Sequence, residues 1–85
     1  MFNQQQRSDE KAVCMALAGR RDAFGLLVSR YLPLVYAVAY ARVGNAADAE
    51  DVAQETFLRA FQGLESLHEQ RKFGAWLLTI ARNTA

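Results

Sequence analysis

Four carboxylates crowd one short stretch of this chain: Asp48, Glu50, Asp51 and Glu55. Acids this dense can hold a divalent cation, supply a general acid and base, or present negative charge to a basic partner. A second group, Arg71, Lys72, Phe73, Trp76, Thr79, Arg82 and Asn83, has a different character. Cations can hold phosphates, an amide can read a base edge, and rings can stack on exposed bases. His68 is the only histidine and Cys14 the only cysteine, so no such residues stand at metal-ligand spacing. There is no glycine-rich phosphate loop, and no nucleophile accompanied by a base and an orienting group. A metal cage on Asp51 and Glu55 would need a second carboxylate-bearing helix to close it. The chain is expected to bind rather than catalyse, with no metal and no cofactor.

Both groups depend on helices for their placement. Wound at about 100° per residue, Ala49, Val52, Ala53, Thr56, Phe57, Ala60, Phe61 and Leu64 fall on one side of a helix. Asp48, Asp51, Gln54, Glu55, Arg59 and Gln62 fall on the other, with Leu58 near their centre. An apolar spot ringed by carboxylates and amides is the layout of a small docking site. A solvated helix face accounts for the same residues. In the second group Phe73, Leu77, Ile80 and Thr84 share a core side, and Ala75, Thr79, Arg82 and Asn83 share the opposite side, with Trp76 at its edge. The plainer alternative is that Phe73 and Trp76 are core and Arg82 is solvated.

The chain has 85 residues, 52% of them apolar, enough for one small domain with a core and no staples. A net charge of +1 means that any nucleic-acid contact must come from local charge. One proline, five glycines and no alternating β-branched segment predict an all-α protein, a small four-helix bundle. Residues 1–7 are expected to fray. A leading helix over 8–19 would be capped by Ser8 or Asp9 and stopped by Gly19. Asp22 would cap a second helix running to about Val43, stopped by Gly44 and disturbed by Pro33. Its middle is apolar nearly all round, which predicts a place at the centre of the bundle. The third helix would start at Asn45 to Asp48 and end at Gly63. A polar loop, Leu64 to Lys72, leads to a fourth helix from Phe73. Cys14, between Val13 and Met15, is expected to be a buried thiol. The polar start carries no secretory signal, and the apolar run Tyr31 to Ala41 is too short to span a bilayer. The expected location is the cytoplasm. The pattern breaks off within the fourth helix, which suggests a piece of a longer protein.

Three segments together resemble the bacterial RNA polymerase sigma factors of the extracytoplasmic-function group. They are Asp22-Ala-Phe-Gly-Leu-Leu-Val-Ser-Arg-Tyr31, Gly44-Asn-Ala-Ala-Asp-Ala-Glu-Asp-Val-Ala-Gln-Glu-Thr-Phe-Leu-Arg-Ala-Phe61, and Phe73-Gly-Ala-Trp-Leu-Leu-Thr-Ile-Ala-Arg-Asn83. The resemblance covers 22–85 and implies the helical second conserved region of that family. It implies that Asp48, Asp51, Gln54, Glu55, Leu58 and Phe61 dock on the clamp helices of the largest subunit of core RNA polymerase. It also implies that the loop and last helix bind the non-template strand of the −10 promoter element, the loop capturing a flipped base. Asn83 would contact a base, with Thr79 and Arg82 on its face. Phe73 and Trp76 would be partly structural. An anti-sigma protein covering the docking face is a further family-level partner. No counterpart of the helix-turn-helix domain that reads the −35 element in this family is expected within these 85 residues, and Glu65 and Glu69 offset Arg71 and Lys72 in the loop. Two other readings compete: a protein-interaction adaptor with an acidic face and no DNA role, and a metal-dependent enzyme on a helical bundle.

Overall fold

Asn3 sets where the first helix begins. Its Oδ1 accepts from the Gln6 backbone N–H at 2.7 Å, while Gln6 Oε1 accepts from the Asn3 N–H at 3.2 Å. This reciprocal capping box satisfies two otherwise orphaned donors. Helix α1 therefore spans Gln4–Leu17, four residues earlier than expected, and Ser8 and Asp9 lie inside it rather than at its cap. The computed structural model describes residues 3–85. Of the leader expected to fray, residues 4–7 are helical, and Met1 and Phe2 lie outside the described residues.

Helix α2 spans Arg21–Val43, α3 spans Ala46–Gln62, and α4 spans Phe73–Thr84. Two 3-10 turns, Leu64–Ser66 and Gln70–Lys72, punctuate the connection between α3 and α4. The fold is all-α, four helices with no strand among the described residues. Gly19 (φ +100°) and Gly44 (φ +79°) occupy the left-handed conformation after α1 and α2, where a side chain would be strained. Arg20, not Asp22, is the residue before α2; Asp22 sits in the first turn and pairs with Arg20 at 3.1 Å. Each partner favours the other's charged form, so Arg20 is held above and Asp22 below its ordinary pKa. Helix α2 runs on through Pro33, which has no N–H to give to the ladder.

The core is built from the apolar faces of all four helices. Val13, Leu27, Val35, Ala60, Phe73, Leu77 and Ala81 are fully buried. Phe73 is its hub, with ring centroids 5.7 Å from Tyr31, 5.9 Å from Trp76 and 6.4 Å from Phe24. Buried Thr56 donates its hydroxyl to the Val52 carbonyl at 2.7 Å, so burial leaves no unmet polar group there.

Three expectations are corrected by this packing. Helix α2 packs on α1, α3 and α4, yet its apolar middle is not enclosed: Val35 and Ala39 are buried, while Leu32, Leu34 and Tyr40 are 45%, 47% and 46% exposed. By length and composition α2 is also long and apolar enough to cross a membrane, which the shorter run Tyr31 to Ala41 did not suggest. Cys14 is exposed, with its Sγ 3.7 Å from Gln70 Oε1, because one step along a helix turns the side chain about 100° from buried Val13. Finally, Asp9 is 1% exposed. It accepts hydrogen bonds from Arg30 Nη1 at 2.5 Å, from Gln5 Nε2 at 3.1 Å, and from the Tyr31 hydroxyl.

Candidate functional site

The first site is built on α3. Asn45 closes the helix start, its Oδ1 accepting from Asp48 N–H at 2.9 Å and its Nδ2 donating to Asp48 Oδ2 at 2.8 Å. Asp48 is therefore part of the cap, in the first turn where the helix dipole favours an anion. Asp51, Gln54, Glu55 and Leu58 follow at three- and four-residue steps and form one exposed stripe. Glu55 pairs with Arg59 at 2.9 Å, an exposed contact that leaves the carboxylate accessible. Asp51 and Gln54 make no side-chain hydrogen bond or ion pair among the described residues. Leu58 is 50% exposed at the centre of this stripe. Phe61 stands at its border, 45% exposed while its ring meets Phe24 edge-on at 5.1 Å.

A feature that sequence reasoning missed adjoins the stripe. A groove of about 760 Å³ runs between α2 and α3, floored by Val28, Leu32, Pro33, Tyr36, Ala53 and Phe57, with Glu50 and Gln54 also lining it. Its signal was the all-round apolarity of α2, which was assigned to the bundle centre instead.

The second site combines the connection with α4. A recess of about 300 Å³ is lined by Leu67, Glu69, Lys72, Ala75, Trp76 and Thr79. Trp76 is half-buried between Phe73 and the end of α3, where a Cβ on Gly63 would stand 3.9 Å from its ring. Thr79 donates its hydroxyl to the Ala75 carbonyl at 3.1 Å, leaving the oxygen's lone pairs to accept. Glu69 Oε2 accepts from Arg71 at 2.7 Å and lies 3.6 Å from Lys72 Nζ, so one carboxylate answers both loop cations. Arg82 and Asn83 are exposed one turn beyond Thr79, on the same side of α4 but outside the recess lining.

Most of the expected residues thus lie on two separate accessible faces. Phe73 is the exception: it is fully buried, so it can act on a ligand only through the residues it supports. Ala75 shares its side of the helix with Thr79, as the sequence pattern indicates, whereas Leu67 and Glu69 were not singled out individually as lining a site. Only the fold of the connection brings those two beside Trp76.

Residues 27–85 match the Sigma-70 region 2 family. The chain is 52% identical over 69 residues to the ECF RNA polymerase sigma factor BldN of Streptomyces coelicolor, covering 80% of this chain and 26% of that protein. It is 39% identical over 74 residues to the ECF sigma factor SigW of Bacillus subtilis, covering 87% and 40%. It is 40% identical over 81 residues to the ECF sigma-E factor of Haemophilus influenzae, covering 95% and 42%. The chain therefore spans less than half the length of these relatives. With an all-α bundle, the matched region and these relatives in agreement, the chain belongs to the Sigma-70 region 2 family and, within it, to the extracytoplasmic-function sigma factors.

Proposed function

We propose that this domain couples core RNA polymerase to the −10 promoter element by way of two faces, and that it performs no covalent chemistry. The α3 stripe of Asp51, Gln54, Glu55 and Leu58 docks on basic helices of the polymerase's largest subunit, with Asp48 and Phe61 at its edges. Charge complementarity steers the encounter, and the desolvated leucine supplies the hot spot. The recess beside Trp76 holds one unstacked base of the non-template strand. Thr79, Arg82 and Asn83 contact the neighbouring nucleotides, with Arg71 and Lys72 near the phosphates. The helix-turn-helix domain of the family would read the −35 element in the longer protein, and the setting is cytoplasmic.

The recess carries this reading. A concavity walled by an indole and lined by a hydroxyl and a carboxylate suits a flat heterocycle with polar edges. The energetics are compatible with promoter opening. Extruding a base costs a few kcal/mol, and stacking on a protein ring returns about 1–3 kcal/mol.

The test uses two variants and two partners. Asp51→Ala with Glu55→Ala is expected to abolish binding to a clamp-helix fragment of the polymerase while circular dichroism stays native. Asn83→Ala is expected to weaken binding of a single-stranded oligonucleotide selected from a random pool by about 1–3 kcal/mol, with clamp binding unchanged. Loss of clamp binding in Asn83→Ala, or its retention in the double variant, contradicts the assignment of faces. Clamp binding with no selectable oligonucleotide favours the adaptor reading, which the neutralisation of Arg71 and Lys72 by Glu69 also supports.

A further inference from the structure

Asp9 and Tyr31 have no part in either face, yet they join a fully buried carboxylate on α1 to a phenol on α2. The Asp9 carboxylate, buried at 1% exposure, accepts from Arg30 and Gln5 on one oxygen and from the Tyr31 hydroxyl on the other. Arg30 Nη2 also donates to Ser8 Oγ at 2.9 Å. Helix α1 is thus tied to α2 at one buried acid whose α2 partners, Arg30 and Tyr31, lie more than twenty residues away in sequence.

Tyr31 carries the tie onward to α4. The ring lies against Gly74, in the first turn of α4. A Cβ placed there would stand 2.7 Å from the Tyr31 Oη, 3.0 Å from Cζ and 3.1 Å from Cε1. The first is closer than real Cβ contacts and the other two are unusually tight, so the glycine is what lets the tyrosine seat beneath α4. Tyr31 also meets Phe73, which meets Trp76, the wall of the recess. Helix α1 touches the same region a second time, through Cys14 against Gln70 in the turn before α4.

We propose that Asp9, acting through Tyr31 seated against Gly74, is a positioning residue for the recess, so that the leading helix α1 fixes the shape of the base-holding site while leaving the α3 stripe independent. Asp9 meets Tyr31 and Tyr31 meets Gly74, a chain of contacts from α1 through α2 to α4, and no side-chain hydrogen bond among the described residues links Asp9 or Tyr31 to α3. The consequence for DNA rests on the recess being the base site; the consequence for the shape of the recess does not.

The experiment uses the chain as it stands and Trp76, its only tryptophan, as the reporter. Tyr31→Phe keeps the ring and removes the tie to Asp9. Gly74→Ala keeps the tie and drives a methyl into the hydroxyl. Amide hydrogen exchange is followed at residues 67–76 and at residues 48–58, together with acrylamide quenching of Trp76. Each variant is expected to speed exchange at 67–76 by about tenfold or more and to raise quenching about twofold, with exchange at 48–58 within about twofold of the parent. Gly74→Ala placed in the Tyr31→Phe background is expected to add less than it does alone, because the closest clash has gone. Equal acceleration in both segments would mark a general loss of stability and overturn the proposal, as would no change in either, or full additivity of the pair. A separate arm measures the selected oligonucleotide. Its affinity is expected to fall about fivefold in Tyr31→Phe. Unchanged affinity with an altered recess would overturn the reading of the recess as the DNA site, not the positioning role of Asp9.

Discussion

The α3 stripe and the α4 recess meet their ligands in different physical ways. The stripe is the property of a single helix. Its residues are adjacent by helical periodicity, they are exposed, and their removal takes nothing from the core. The recess belongs to no single element. It is assembled from a connection held by two 3-10 turns, the first two turns of α4 and, through Phe73 and Tyr31, the distant start of α1. A site of the first kind can change its chemistry by surface substitution without refolding. A site of the second kind is coupled to stability, so its variants register in the fold as well as in binding.

The sharpest way to break that contrast is Phe73→Ala. Removing a fully buried ring at the hub is expected to cost about 3–5 kcal/mol. For so small a domain this is most of the stability, so thermal melting should shift far downward and both bindings should fail together. Persistence of clamp binding in Phe73→Ala would mean that the stripe needs even less of the fold than described. Next in size is Leu58→Ala. The side chain is half exposed, so stability should change by less than about 0.5 kcal/mol, while clamp-fragment affinity drops by about 2 kcal/mol. Calorimetric titration beside a melting curve separates the two quantities.

Smaller effects sharpen the electrostatics. Glu69→Gln removes the carboxylate that answers Arg71 and Lys72. Affinity for a single-stranded oligonucleotide should rise by about two- to fivefold at low salt, and its dependence on salt should steepen because a negative charge leaves the loop and Lys72 loses its carboxylate partner. An unchanged salt slope would show that neither cation reaches the backbone. The last effect concerns the proton of Tyr31. Burial first, then the hydrogen bond and charge of Asp9, push its phenol up from 10.0 to about 12. The folded state binds this proton more tightly than the unfolded state. The corresponding stability is therefore fully present below pH 10 and is lost as pH rises from 10 to about 12. Tyr31→Phe should flatten this part of the alkaline unfolding profile, read by circular dichroism.

The same contrast explains what was legible in the sequence. The stripe and the helices α3 and α4 could be read because amphipathic periodicity is local and strong there, and because Asn45 and Gly63 mark the ends of α3 plainly. The start of α1 was hidden in a run of glutamines in which only Asn3 and Gln6 close the box. Asp9 read as a candidate cap of the leading helix, since its partners Arg30 and Tyr31 lie far along the chain. The exposed middle of α2 was misplaced for a related reason. Hydropathy says which residues avoid water, but not whether a 14-residue neighbour is long enough to cover a 23-residue helix. The lining of the recess was invisible because Leu67 and Glu69 acquire their meaning only when the chain reverses onto Trp76.

The contact between Cys14 and Gln70 has a practical corollary. The domain carries one thiol and one indole, the thiol open to reagents and resting on the turn that precedes the last helix. A small dye attached at Cys14 therefore sits on the turn that leads into the last helix, with Trp76 as its natural energy donor. Changes in the recess on ligand capture can be timed in the unaltered protein, with no engineered label sites.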